Sequence, residues 1–130
     1  IGEGILTGGN LTLLSRLTGT PYEVNTREKI LFFEEIGEKP YRLHGMLTQL
    51  KMAGKFEEVK GIIVGDLSGC DTKDRPGTAL EAVKEVLEDV KCPVIYGVRA
   101  GHIGDSMTLP LHARVRIEAV EEYGVQFRAI

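Results

Sequence analysis

Cysteine is scarce in this sequence. Cys70 and Cys92 are the only two among 130 residues. Two thiols make no disulfide framework, so burial must hold the fold, and a reducing compartment fits. A basic excess is also missing. Sixteen Lys and Arg stand against nineteen Asp and Glu, for a net charge of −3. That balance excludes a phosphate-backbone binder, and the acidic residues are too scattered to form a polyanionic tail. No apolar run approaches the ~20 residues that cross a bilayer. No charged segment precedes a short apolar stretch in the manner of a signal peptide. Neither nucleic acid nor membrane is therefore expected as a partner. There is no repeat, no low-complexity segment and no initiating Met. Ile1-Gly2-Glu3-Gly4 reads as text from inside a longer protein, so a cut piece is expected.

What is present describes one soluble globular unit. Hydrophobic residues make up 42% and charged residues 27% of the chain, close to a globular average. At 14.3 kDa the folded surface should be roughly 6,800 Å², which leaves room for one core and not two. Gly is in excess, with 16 of 130 residues against a usual ~7%, so many tight turns are expected.

Strand and helix patterns alternate along the chain, the mark of an α/β fold. Gly8-Gly9-Asn10 reads as a turn, with Asn10 capping a short helix over 11–17 that Gly19 and Pro21 end. Ile30-Leu31-Phe32-Phe33 is an unalternated apolar run before Glu34 and Glu35, as in a strand covered on both faces. A helix follows over 40–53, with Leu43, Met46, Leu47, Leu50 and Ala53 on one face and Gly54 closing it. Gly61-Ile62-Ile63-Val64-Gly65 is a second buried strand ending at Asp66. Thr78 and Glu81 have capping-box spacing before a helix to Val90 that turns Leu80, Val83, Leu87 and Val90 inward. Residues 92–98 read as a third strand with Pro93 near its start. Residues 113–120 and 125–130 read as an antiparallel hairpin turning at Tyr123-Gly124. The expected architecture is a three-layer α/β domain: a mainly parallel sheet, flanking helices and a C-terminal antiparallel hairpin.

In open α/β sheets, ligands bind beyond the carboxyl ends of the strands. Those ends fall here at Glu34, at Asp66 and, just past the third strand, at His102. A carboxylate and an imidazole 68 residues apart are thereby expected at one sheet edge. His102 lies in Ala100-Gly101-His102-Ile103-Gly104-Asp105, where glycines let the backbone present it into a cleft. Imidazole suits proton transfer near neutral pH, and a carboxylate on its second nitrogen would fix the tautomer. The plainer reading is a loop histidine bonded to a backbone carbonyl. Glu34 has a plain reading too, as the residue that ends burial. Glu35 is an equal candidate by composition. Strand alternation puts the two on opposite faces, so only one can face the cleft.

Other constellations are weaker. Asp66, Ser68, Cys70, Asp71 and Asp74 suggest a metal or phosphate loop, but zinc-site spacing and a calcium-loop pattern are both missing. Gly8-Gly9-Asn10 completes neither phosphate-binding glycine pattern. On these residues a metal site is not expected. His44 and His112 are read as core or surface filling. No nucleophile is evident. Ser15, Ser68 and Ser106 lie outside any Gly-x-Ser-x-Gly elbow, Ser106 reads as a turn residue, and the acidic neighbours of Cys70 would raise its pKa.

Across nearly its whole length the chain resembles the C-terminal domain of the LD-carboxypeptidases, the muramoyl-tetrapeptide carboxypeptidase family of serine peptidases. The residues that carry the resemblance are Gly8-Gly9-Asn10-Leu11, Gly19-Thr20-Pro21-Tyr22, Ile30 to Glu38, Pro40-Tyr41-Arg42, Gln49-Leu50, Ala53-Gly54, Gly61 to Gly65 and Ala100-Gly101-His102, in family order. The helix departs from the family at Leu43-His44-Gly45, where members often carry a polar Asp-Arg pair. The resemblance implies a Ser-Glu-His triad with Glu34 as its acid and His102 as its base. It implies that the serine and its oxyanion hole sit in a preceding N-terminal domain. Residues 1–130 are then the Glu/His-bearing half of a two-domain peptidase, silent without the other half. It further implies removal of the terminal D-Ala from murein tetrapeptides in cytoplasmic cell-wall recycling, often as a homodimer and with no metal or organic cofactor. Two alternatives stand beside this: a related peptidase cleaving a peptide-like antibiotic, and a non-catalytic binding or dimerisation module. A Glu34–His102 separation beyond hydrogen-bond reach would favour the module.

Overall fold

The computed structural model describes residues 1–120 and 124–130. The described residues form, in order, β1 (Gly2–Asn10), α1 (Leu11–Arg16), β2 (Lys29–Glu34), α2 (Pro40–Met52), β3 (Gly61–Val64), α3 (Thr78–Leu87), β4 (Val94–Ile95), β5 (Arg114–Val120) and β6 (Gly124–Ala129). The six strands form one mixed sheet in the order β4-β3-β2-β1-β5-β6. β1 to β4 are parallel. β5 runs antiparallel to β1, and β6 pairs antiparallel with β5 as the expected hairpin. Of the turn expected at Tyr123-Gly124, Tyr123 lies outside the described residues.

The three-layer expectation needs correction. The parallel strands lie side by side in sequence order, with no reversal. Right-handed crossovers between strands in unbroken order put every helix on the same face. One core accordingly joins α1, α2 and α3 to that face through Leu11, Leu14, Leu43, Leu47, Leu50, Val83, Val86 and Leu87, against Leu31, Phe33, Ile62 and Val64. Among the described residues, the other face carries no helix. Leu6, Ile30, Phe32, Ile63, Val115 and Ile117 pack there against Val98, Ala100 and Leu109 of the irregular segment after β4. β2 is thus buried on both faces, as its apolar run requires, with a coil segment as the second cover.

β1 is the strand that composition conceals. Gly8 and Gly9, expected as a turn, are its last residues before Asn10. Gly8 has φ +129°, and a Cβ there would lie 1.8 Å from the Phe32 carbonyl oxygen, so the glycine marks close strand packing. The third expected strand shrinks to Val94–Ile95. Pro93 withholds a ladder donor before it, and Gly97 bends away after it with φ +75°.

The helices form where expected, with three departures: α3 ends at Leu87 and not Val90, Ala53 falls just past α2 and is exposed, and one cap differs. Asn10 Oδ1 accepts the Leu13 N–H at 3.2 Å and caps α1. Pro40 opens α2, and its Leu43, Leu47 and Leu50 are buried. In α3, Thr78 is the first helical residue, so no capping box forms. Asp71 caps instead, accepting N–H groups from Gly77 at 3.0 Å and Ala79 at 2.8 Å. The buried face of α3 is Ala79, Val83, Val86 and Leu87, with Leu80 and Val90 only half-buried. Among the described residues, no helix is long and apolar enough to cross a membrane.

Candidate active site

Parallel register aligns the carboxyl ends of β1 and β2, so that Asn10 pairs directly with Glu34. β3 ends one strand over, beside the segment that carries His102. Backbone bonds fasten that segment to the β3 end. Val98 N–H donates to the Val64 carbonyl at 3.3 Å, and Asp66 N–H donates to the Ala100 carbonyl at 2.9 Å. Ala100 is buried in the coil-covered core. Gly101 N–H then donates to Ser106 Oγ at 3.1 Å, and Met107 N–H to the Arg99 carbonyl at 2.7 Å, which folds residues 99–107 into a closed loop. Arg99 and Asp105 pair across it.

This loop brings His102 onto Glu34. The imidazole Nδ1 lies 2.8 Å from Glu34 Oε2. Ionised carboxylates only accept, so the proton of this bond sits on Nδ1, and Nε2 takes no part in it. Glu34 is 5% exposed, whereas the His102 side chain is 57% exposed. The Glu34 hydrogen bond, and secondarily its charge, raise the His102 pKa above the ordinary imidazole value.

Alternation along β2 separates the two neighbouring carboxylates. Ile30, Phe32 and Glu34 point to the coil-covered face, and Leu31, Phe33 and Glu35 to the helix face. Glu35 binds the start of α1: its Oε2 accepts from Thr12 N–H at 2.9 Å and Thr12 Oγ1 at 2.6 Å. Its Oε1 accepts from the Ile36 N–H at 2.9 Å. Burial alone would raise the Glu35 pKa, but the Thr12, Ile36 and Asn10 bonds outweigh it and hold the carboxyl below its usual range. Asn10 joins the pair. Its Nδ2 donates to Glu34 Oε1 at 3.2 Å and to Glu35 Oε1 at 3.0 Å. The sequence marked Asn10 only as a helix cap. Its place at the end of a strand, opposite Glu34, became visible only with β1.

The remaining candidates have separate tasks. Asp66 is bonded to the Ser68 hydroxyl and backbone N–H. Asp71 caps α3, and Asp74 sits in a turn with φ +60°. Among the described residues, no three His, Cys, Asp or Glu side chains converge as metal ligands. Cys70 is buried, and burial pushes its thiol pKa up, with the charges of Glu35 and Glu38 adding to the shift. Ser15 Oγ donates to the Thr12 carbonyl, and Ser106 serves the loop turn. His44 lies on α2 beside Glu85 at 3.8 Å, and His112 is exposed just before β5.

Residues 3–117 match the LD-carboxypeptidase C-terminal domain. The chain belongs to this family. A probable murein peptide carboxypeptidase of Bacillus subtilis is 39% identical over 127 residues, which are 95% of this chain and 39% of that protein. The crystal structure of muramoyltetrapeptide carboxypeptidase from Oxalobacter formigenes superposes with a TM-score of 0.83 at 32% identity, over 96% of this chain and 44% of that one. The microcin C7 self-immunity protein MccF of Escherichia coli is 31% identical over 121 residues, 89% of this chain and 34% of that protein. MccF in complex with aspartyl sulfamoyl adenosine superposes with a TM-score of 0.84 at 26% identity, over 99% of this chain and 38% of that one. This LD-carboxypeptidase domain therefore spans under half the length of these relatives.

Proposed function

We propose that residues 1–130 form the Glu/His-bearing domain of a serine-type LD-carboxypeptidase, with Glu34 and His102 as two members of its triad. The observation that carries the reading is the 2.8 Å bond from His102 Nδ1 to buried Glu34, on an imidazole that is more than half exposed and whose Nε2 takes no part in that bond. In this reading an N-terminal domain supplies the serine and its oxyanion hole. His102 Nε2 takes the hydroxyl proton as the serine oxygen attacks the amide carbonyl, and returns a proton to the departing D-Ala amine. Glu34 holds the ring and stabilises the imidazolium. Water then attacks the acyl-enzyme carbonyl: His102 Nε2 takes its proton and passes it to the serine oxygen, which departs as the ester bond breaks.

The length of the relatives supports an N-terminal partner domain. So does the surface. The chain exposes 7582 Å², against roughly 6,800 Å² for a closed monomer of this mass. Leu13, Tyr22, Ile36 and Tyr41 are among its exposed large apolar side chains. The substrate we assign is a murein tetrapeptide that loses its terminal D-Ala, in cytoplasmic recycling by a homodimer. The similarity to MccF, a microcin C7 self-immunity protein whose structure holds aspartyl sulfamoyl adenosine, favours a second substrate class, a peptide-like antibiotic, on the same pair of residues. A Glu34–His102 bond within hydrogen-bond reach weighs against a purely non-catalytic module.

The test is D-Ala release. The protein that carries this domain together with its N-terminal partner should release D-Ala from murein tetrapeptide, and the 130-residue chain alone should not. Release by the isolated chain above buffer background refutes the division of labour. Cleavage of aspartyl sulfamoyl adenosine and not of tetrapeptide assigns the second substrate class.

A further inference from the structure

Glu35 has no part in the chemistry above, yet it is 4% exposed and accepts four hydrogen bonds. No cation pairs with it among the described residues. A buried carboxylate without a cation is costly and stays only where its environment is built for it. Every group aimed at Glu35 is a donor: Thr12 N–H and hydroxyl, Ile36 N–H and the Asn10 amide. An uncharged amide at this position would set its own NH2 against donors.

The Asn10 contact leads to the site. Asn10 Oδ1 is occupied by the Leu13 N–H at the start of α1. That bond decides the orientation of the amide and aims Nδ2 at the carboxylates. Nδ2 is then shared between Glu35 Oε1 and Glu34 Oε1. With Oε1 tethered, Glu34 presents Oε2 to His102 Nδ1. The result is one continuous relay, Glu35–Asn10–Glu34–His102, anchored at its far end on α1. Arg99, the nearest loop cation in sequence, is already paired with Asp105.

We propose that Glu35 is a positioning residue for the Glu34–His102 pair and acts through the side-chain amide of Asn10. The proposal rests on the peptidase reading only for its catalytic consequence. Glu35 touches neither His102 nor any reacting atom. It keeps the Asn10 amide in place, the amide keeps Glu34 in one orientation, and Glu34 holds the imidazole proton on Nδ1.

The experiment is 15N NMR of the His102 ring in the 130-residue chain above its pKa. The wild-type ring should be the Nδ1–H tautomer. Glu35→Gln and Asn10→Ala should each lose that preference and give a mixture of tautomers. The double variant should be no worse than either single one, because both act through the same bond. Thr12→Val removes a donor from Glu35 but leaves its charge and Asn10 in place, so it should keep the Nδ1–H tautomer. In the protein with its N-terminal partner, Glu35→Gln should lower kcat by up to ~10²-fold with KM unchanged, as for a misplaced catalytic group. Retention of the Nδ1–H tautomer in Glu35→Gln overturns the proposal, whatever Asn10→Ala does. So does its loss in Thr12→Val, which would make Glu35 a helix anchor only. If Glu35→Gln fails to fold, Glu35→Asp, which keeps the charge but draws the carboxylate back from Asn10, takes its place under the same criterion. Because the tautomer is read without turnover, an intact relay in a protein that cleaves no murein peptide sinks the peptidase reading and spares this one.

Discussion

Replacing Gly101 by Ala tests the construction of the site more sharply than removing a catalytic side chain. Gly101 has φ +144°, and a Cβ built there lies 2.9 Å from Glu34 Oε2, 3.2 Å from Glu34 Cβ and 3.3 Å from Glu34 Cγ. The first contact is with the oxygen that binds His102. Two costs add. An L side chain at this φ costs about 1–2 kcal/mol. Crowding a filled site costs about 1–3 kcal/mol. Part of the second is relieved if Glu34 swings away, so a total of about 2–4 kcal/mol is expected. With a urea m-value of about 1–3 kcal/mol/M, the unfolding midpoint of this chain should fall by roughly 1–2 M. If Glu34 does swing, the bond to His102 breaks and the imidazole pKa drops toward its ordinary value, which a 1H NMR titration reads directly. A Gly101→Ala chain with an unchanged midpoint and an unchanged His102 pKa would show that the loop is not packed against Glu34 as described.

Two further outcomes check the electrostatics. The folded His102 pKa is raised, so the Glu34 pair contributes stability that is fully present below the unfolded histidine value and is lost as pH rises through the folded one. Glu34→Gln should abolish that pH dependence in urea melts, and should cost about 10⁴ in kcat in the protein with its N-terminal partner. Asp71→Ala removes the cap of α3 and should destabilise the chain by about 1 kcal/mol. The Asp71 pKa is held low by the Ala79 and Gly77 N–H bonds, so its contribution is present above the unfolded aspartate value and lost as pH falls through the folded one. Asp71→Ala should flatten the acid limb of the stability curve, and an unchanged limb would refute the cap.

Local pattern was enough to read the buried β2 run, the apolar face of α2, the hairpin and the shared rim of Glu34 and His102. Each of these is a local pattern or a general rule of parallel sheets, legible without a partner. Three matters were decided only in the folded molecule. β1 was hidden because its glycines are selected by the approach of Phe32 from a neighbouring strand, which no local window contains. The helices lie on one face because the parallel strands kept their order, a property of topology and not of any segment. The choice between Glu34 and Glu35 needed to know which face of β2 the coil after β4 covers. Alternation guaranteed that the two would part, but only the tertiary packing, with His102 on one side and the start of α1 on the other, gave each carboxylate its own partner.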